Sequence, residues 1–123
     1  MLEDLIGAWH DAVNDRDLAA AQATVTDPVE VSGLRGTQSI TAEAFAGWII
    51  SSGIRLRPVA VHPIDDATVV VEQEATWPGN ADAAAAATPP TPVATVFEAR
   101  GRAFSAIRRF DSLDDALHAA AAH

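Results

Sequence analysis

The chain has 123 residues and a formal net charge of -9, from 17 acidic side chains against eight arginines and no lysine. That balance gives no general electrostatic footprint for nucleic acid or for an anionic membrane surface. The absence of cysteine excludes disulfides and thiolate metal sites. With 49% hydrophobic residues the chain lies well above the disordered range. One domain spanning 1–123 is predicted, large enough to bury a core without staples. No apolar run approaches the roughly 18 residues of a spanning helix. The opening Met1-Leu2-Glu3-Asp4 is acidic where a secretory signal begins basic, so the expected address is the cytoplasm.

Residues 2–14 read as an amphipathic helix, with Leu2, Leu5, Ile6, Trp9, Ala12 and Val13 on one stripe. A second, short helix is predicted over 17–25, capped by Asp15 or Asp17 and stopped at Thr26-Asp27-Pro28. Val29-Glu30-Val31 alternates like a short strand, and Ser32 to Gly36 reads as a loop. Helix returns over 38–52, with Ile40, Ala44, Phe45, Trp48 and Ile49 on one face and Gly53 as its C-cap.

Two strands follow, Arg55 to His62 and Ala67 to Trp77, joined by a turn at Pro63-Ile64-Asp65-Asp66. Residues 78–91 combine an alanine run with flanking prolines and lack an apolar stripe, which favours an exposed loop. Pro92 to Ala99 and Arg102 to Phe110 form a hairpin about Arg100-Gly101. Asp111 and Ser112 cap a last helix that carries Leu113, Ala116, Leu117 and Ala120. Four long strands in a row imply an antiparallel meander, and helices gathered before them imply packing on one face, the α+β solution.

That order resembles the nuclear transport factor 2-like superfamily, and so do particular residues. Ala8-Trp9-His10-Asp11-Ala12-Val13-Asn14-Asp15-Arg16-Asp17-Leu18 is similar to the family's opening helix and short second helix. Leu34-Arg35-Gly36 resembles its glycine after strand one, and Val69-Val70-Val71-Glu72 with Val96-Phe97-Glu98-Ala99-Arg100-Gly101-Arg102 its long strands and hairpin. Ile107-Arg108-Arg109-Phe110-Asp111 resembles the closing strand and the acid after it. The pattern is nearest to that of actinobacterial members.

The resemblance implies a cystatin-like, cone-shaped α+β fold: a curved mixed or antiparallel sheet on about three N-terminal helices, with a short C-terminal helix. It implies a pocket inside the cone and a homodimer through the outer sheet face. It does not imply one reaction, because the superfamily holds ketosteroid isomerases, polyketide cyclases, epoxide hydrolases, dehydratases and non-catalytic binders.

Isomerase chemistry needs a tyrosine on the first helix, a carboxylate base after strand one and a protonated acid on a later strand. On the quoted motifs those roles fall at Trp9, near Ser32 or Gly33, and near Thr95, and all three are vacant in a chain without tyrosine. An Asp-Arg-Asp cluster of the epoxide-hydrolase kind cannot be assigned either. His10, His62, His118 and His123 are scattered, so no metal and no cofactor are expected.

What remains is a pocket wall. Val69, Val71, Gln73, Ala75 and Trp77 share one strand face, apolar but for one amide. Glu72 and Glu74 share the other and are expected to face water or a partner. Gln73 either orients a ligand or is a buried amide satisfied by its neighbours. Trp9, Trp48 and Trp77 read first as core and second as aromatic pocket wall. His10 flanks the helix-one stripe, where a half-exposed position is the ordinary reading. Arg108 and Arg109 point to opposite strand faces, and one of them at the cone mouth would suit a substrate carboxylate, against the ordinary reading of a solvated strand end.

The candidate ligand-pocket residues are thus Trp9, His10, Trp48, Gln73, Trp77, Thr95 and Arg109, for a small hydrophobic ligand. The runner-up is a dimeric interaction module without a ligand. A lyase or cyclase using His10 or Asp27 as base on a polyketide-like or steroid-like substrate stands behind both.

Overall fold

The computed structural model describes residues 2–33, 36–51, 54–76 and 91–121. In chain order they form α1 (Leu2–Asp15), α2 (Leu18–Ala23), β1 (Val25–Gly33), β2 (Gly36–Ile40), α3 (Ala42–Ser51), β3 (Arg55–Pro63), β4 (Thr68–Thr76), β5 (Thr91–Arg100), β6 (Ala103–Phe110) and α4 (Leu113–Ala121). The strands make one mixed sheet in the order β2-β1-β6-β5-β4-β3. β3 to β6 are the expected antiparallel meander. β1 returns the chain to the far side, parallel to β6 and antiparallel to β2. The sheet is curved and unclosed, with the N-terminal helices on its inner face, as an α+β cone requires. No described helix is long and apolar enough to cross a membrane.

α1 buries Ile6, Trp9, Ala12 and Val13 at helical spacing. It ends where Arg16 turns left-handed at φ 59, and Asp17 then caps α2 by accepting the Ala20 N–H at 3.1 Å. Asn14 ties the end of α1 to the start of β3. Its side chain donates to the Leu56 carbonyl and accepts the Leu56 N–H, both at 2.9 Å.

The expected helix over 38–52 is corrected at its start. Gly36 adopts φ 101, a conformation free of strain only without a Cβ, and lets the chain reverse after β1. Thr37 to Ile40 therefore pair with Ser32 back to Val29 as a strand. The helix begins only after Thr41, whose hydroxyl accepts the Ala44 N–H at 3.0 Å. β1 is likewise longer than the expected Val29–Val31, taking in Val25 and Ser32, so that the second helix ends at Ala23. The 78–91 loop falls outside the described residues except for Thr91, which opens β5, and Gly53, Leu34 and Arg35 also fall outside them.

Trp48 is a second correction, since it is 58% exposed rather than on the core stripe. Among the described side chains of α3, Ala42, Phe45, Ala46 and Ile49 are buried. Ala46 packs with Ala12 and Ala21, and these small residues let α3 lie close to its helical neighbours. At 100° per residue that contact rotates the buried arc away from Trp48.

The middle of the sheet is buried on both faces. On the inner side Trp9, Phe45, Val71, Phe97, Phe104 and Ile107 belong to one continuous core. On the outer side α4 lies over the meander, and Ala116 and Ala120 pack with Val70, Ala94 and Val96. The outer face, expected to meet water or a partner, is thus covered across its middle strands by the chain's own last helix. Its charged groups sit around that cover. Glu72 pairs with His62 at 3.1 Å, Glu74 with Arg57, and Arg108 bridges Glu30 at 2.7 Å and Glu98 at 2.8 Å.

Candidate functional site

β4 alternates as its sequence dictates. Glu72 and Glu74 are turned out to their ion pairs, and Gln73 is turned in. The register sets Val71 opposite Thr95 and Gln73 opposite Val93, which makes Gln73 and Thr95 diagonal neighbours on the inner wall. α1 lays His10 against the same spot. The Thr95 hydroxyl donates to Gln73 Oε1 at 2.7 Å, Gln73 Nε2 donates to His10 Nε2 at 2.8 Å, and His10 Nδ1 donates to the Ile6 carbonyl at 2.8 Å. The carbonyl can only accept, so the Nδ1 proton is fixed, Nε2 carries a lone pair, and the amide orientation follows. The three side chains are 3%, 1% and 4% exposed for His10, Gln73 and Thr95.

His10 is therefore a buried member of the wall and not the half-exposed residue its helix position suggests. Burial pushes its pKa below the usual histidine value, while the Ile6 carbonyl and Asp11 act weakly in the other direction. A folded pKa below the unfolded value of 6.5 means that above 6.5 the imidazole is neutral in both states and stability is complete. As pH falls below 6.5, the unfolded chain takes up a proton that the folded chain resists, and stability drops. Urea midpoints are expected to fall between about pH 7 and pH 5, before carboxylates near pH 4 begin to titrate. His10→Asn is expected to flatten that slope.

Beside this line stands Trp9, 2% exposed, in edge-on contact with His10 and Phe97 at centroid distances of 4.9 and 5.1 Å. Its indole Nε1–H is buried without an acceptor among the described residues. A buried donor left so costs about 1–3 kcal/mol unless water, a ligand or a ring face meets it.

The remaining candidates are not gathered here. Trp48 faces solvent on α3, and Trp77 lies outside the described residues. Arg108 goes to the outer face, into its two carboxylate pairs. Arg109 is the inner one of the two, since it stands opposite Thr95 in the β5–β6 register. It is exposed and, among the described residues, has no ion pair. It sits at the end of the sheet where β1, β4 and β6 finish and β2, β3 and β5 start. The structure thus joins Trp9, His10, Gln73 and Thr95 into one patch and puts Arg109 at the open end of the same face.

Two surface hollows are formed among the described residues. One of about 430 Å3 opens on the outer face beside the start of α4, with Val59, Glu72, Glu74, Ala94 and Leu113 around it. The other, about 310 Å3, lies between Asn14, Arg55, Arg57 and Thr76. Gln73 contributes to the lining of the first, whereas Trp9, His10, Thr95 and Arg109 line neither. Asn14 and the two β3 arginines had no place among the sequence candidates, because only the folded register brings them together.

The chemistry open to the inner wall is narrow. Among the described residues no carboxylate is buried, and no group of three metal-ligating side chains converges. Ser32 lies opposite Arg108 and so belongs to the outer face, so neither acid of an isomerase appears on the described inner wall. Asp27 is exposed, and its carboxylate accepts the Ala42 N–H at the head of α3. The one lone pair with base strength, His10 Nε2, is already taken by Gln73.

No protein-family model matches this sequence, and no curated protein matches it. Solved structures do. An NTF2-like protein of unknown function from Cytophaga hutchinsonii is similar with a TM-score of 0.75 at 9% identity, over 95% of each chain. The epoxide hydrolase/cyclase-like enzyme SalBIII of pyran ring formation in the polyether salinomycin is similar with a TM-score of 0.74 at 14% identity, over 92% of each chain. A putative polyketide cyclase from Xanthomonas campestris follows with a TM-score of 0.70 at 20% identity, over 96% of this chain and 95% of that one. Such identities speak for backbone and not for chemistry. From the mixed sheet, its order and these likenesses, the chain has the cystatin-like α+β fold of nuclear transport factor 2-like proteins.

Proposed function

We propose that this chain binds a small, largely apolar organic molecule inside the cone, entered from the end where Arg109 stands. The observation that carries the reading is the buried Trp9 indole N–H, a donor with no acceptor among the described residues, in a wall whose other polar groups satisfy one another. A ligand oxygen would supply the acceptor. Arg109, unpaired among the described residues, would hold a carboxylate at the mouth. Neighbours of the same fold include a putative polyketide cyclase and an epoxide hydrolase/cyclase-like enzyme, which supports an oxygen-bearing organic ligand. A turnover that used His10 as base would require Gln73 to leave Nε2 first, so binding without turnover is the reading the geometry favours.

The test is a melting-temperature screen against aromatic and medium-chain carboxylates. At least one acid is expected to raise the melting temperature, by about 3–5 °C for each kcal/mol gained. Arg109→Gln is expected to abolish the shift and Trp9→Phe to weaken it about tenfold in affinity. If no acid in the panel shifts the wild type, the reading fails.

A homodimer through the outer face would have to form on what α4 leaves free, the polar strip of Glu30, Ser32, Thr37 and Ser39 on one side and β3 with Arg57 and the 55% exposed Val59 on the other. The runner-up, an interaction module docking a partner through the outer sheet face, meets the same cover. Trp48 at 58% exposure and Leu18 at 50% offer apolar surface on the helical side instead. The chain, without cysteine, is proposed to work in the cytoplasm.

A further inference from the structure

A hydrogen-bond line whose middle member is an amide has two directions. With His10 neutral, the protons run from Thr95 to Gln73 to His10 to the Ile6 carbonyl. Protonation of His10 puts a second donor on Nε2, facing the Gln73 Nε2 donor at 2.8 Å. Two donors cannot share that contact. The least disruptive repair within the same atoms is a half-turn of the Gln73 amide. Nε2–H of His10 then donates to Gln73 Oε1, and Gln73 Nε2–H donates to Thr95 Oγ1, which has a lone pair to receive it.

We propose that the Thr95–Gln73–His10 line is a two-position switch in which proton uptake at His10 turns the Gln73 amide over and frees the Thr95 hydroxyl proton for a new acceptor. The balance is simple. One proton enters from solvent onto His10 Nε2, no covalent bond between heavy atoms changes, and each of the two contacts is kept with its direction reversed. The freed hydroxyl stands opposite Arg109 in the β5–β6 register, so an anionic group held at Arg109 gains a second donor in the protonated state. Binding of such a group and proton uptake at His10 then favour each other by the same factor. The switch rests on the hydrogen-bond geometry and stands whether or not the proposed ligand does.

The surroundings permit it. On its own helix His10 has Asp11, whose charge favours the imidazolium. β4 and β5 turn Val71, Ala75, Val93 and Phe97 toward the inner core, none of them titratable. Pro58 of β3 is paired with Gln73 and carries no charge. On β6 the cation nearest in register is Arg109, opposite Thr95, while Arg108 is committed to the outer face. Gln73, with its neighbours above and below in β4 apolar, has no competing side-chain partner among the described residues.

The experiment is a proton titration of the ligand-free, isotope-labelled chain by NMR. Well above the ordinary histidine value of about 6.5, the Gln73 amide protons are expected to show through-space cross-peaks to the His10 ring. As the ring titrates, those cross-peaks are expected to give way to cross-peaks with the Thr95 side chain. His10 cross-peaks that persist through the ring's titration would overturn the proposal. So would a chain that unfolds before His10 takes up its proton.

Discussion

Phe97→Ala is expected to remove about 3–5 kcal/mol of stability, a large share of the ~5–15 kcal/mol a domain of this size holds. Phe97 is fully buried, at 0% exposure, in the middle of β5. Its ring meets Trp9 at 5.1 Å and Phe104 at 4.7 Å between centroids, so it joins α1 to β6 across the inner face. Its backbone pairs with Val69 on one side and Ile107 on the other, in the centre of the sheet, where a void cannot collapse cheaply. Lost ring contacts add about 0.5–1.5 kcal/mol to the transfer and cavity cost. Urea unfolding is the check, with the midpoint falling while the slope m stays constant. A loss below about 1 kcal/mol would mean that the wall around Phe97 is loose.

Gln73→Leu is the second large effect, expected at about 2–4 kcal/mol although leucine is the more hydrophobic residue. The substitution keeps the volume but strands two buried groups at once, the Thr95 hydroxyl and His10 Nε2. Each unsatisfied buried group costs about 1–3 kcal/mol, and packing gain offsets part of it. Thr95→Val alone strands only Gln73 Oε1 and is expected to cost about 1–2 kcal/mol. Because the two residues share one line, the double variant should lose less than the sum of the singles. A double-mutant cycle by chemical denaturation measures that coupling, and strictly additive losses would show that the line contributes nothing as a unit.

How much of this was legible depends on how local the cause is. The alternation of Val69 to Ala75 separates the inward amide from the outward glutamates, because a strand's period of two is fixed by the backbone alone. The meander of β3 to β6 follows from turn residues between apolar runs. β2 was hidden because Thr37-Gln38-Ser39-Ile40 has no strand pattern of its own and is held by pairing with β1 after the reversal at Gly36. Trp48 misled because its helix packs through the alanines at 12, 21 and 46, and a stripe of small residues carries little weight in an apolar pattern. The stripe of α4 was visible as Leu113, Ala116, Leu117 and Ala120. That it docks on Val70, Ala94 and Val96 was not, since an outer sheet face buried by a helix reads like one left for a partner.

The site shows the same division. Gln73 in an apolar row, Thr95 on a following strand and His10 beside the first helical stripe each stand out singly in the sequence. Their union depends on the β4–β5 register and on how α1 crosses the sheet, both long-range facts. The ordinary reading of His10 as half-exposed failed because Gln73 gives its ring nitrogen a partner, which removes the usual penalty for burying a polar ring. Arg108 and Arg109 alternate by the strand period, but only the pairing opposite Thr95 decides that Arg109 is the one that faces inward.

The direction of the hydrogen-bond line in the inner wall depends on one proton. Nitrogen-15 correlation spectra of the His10 imidazole near neutral pH read its tautomer directly. The hydrogen bond to the Ile6 carbonyl predicts a proton on Nδ1 and a bare, amide-bound Nε2. A proton on Nε2, or a ring averaging freely between the two forms as a solvent-exposed histidine does, would contradict the account.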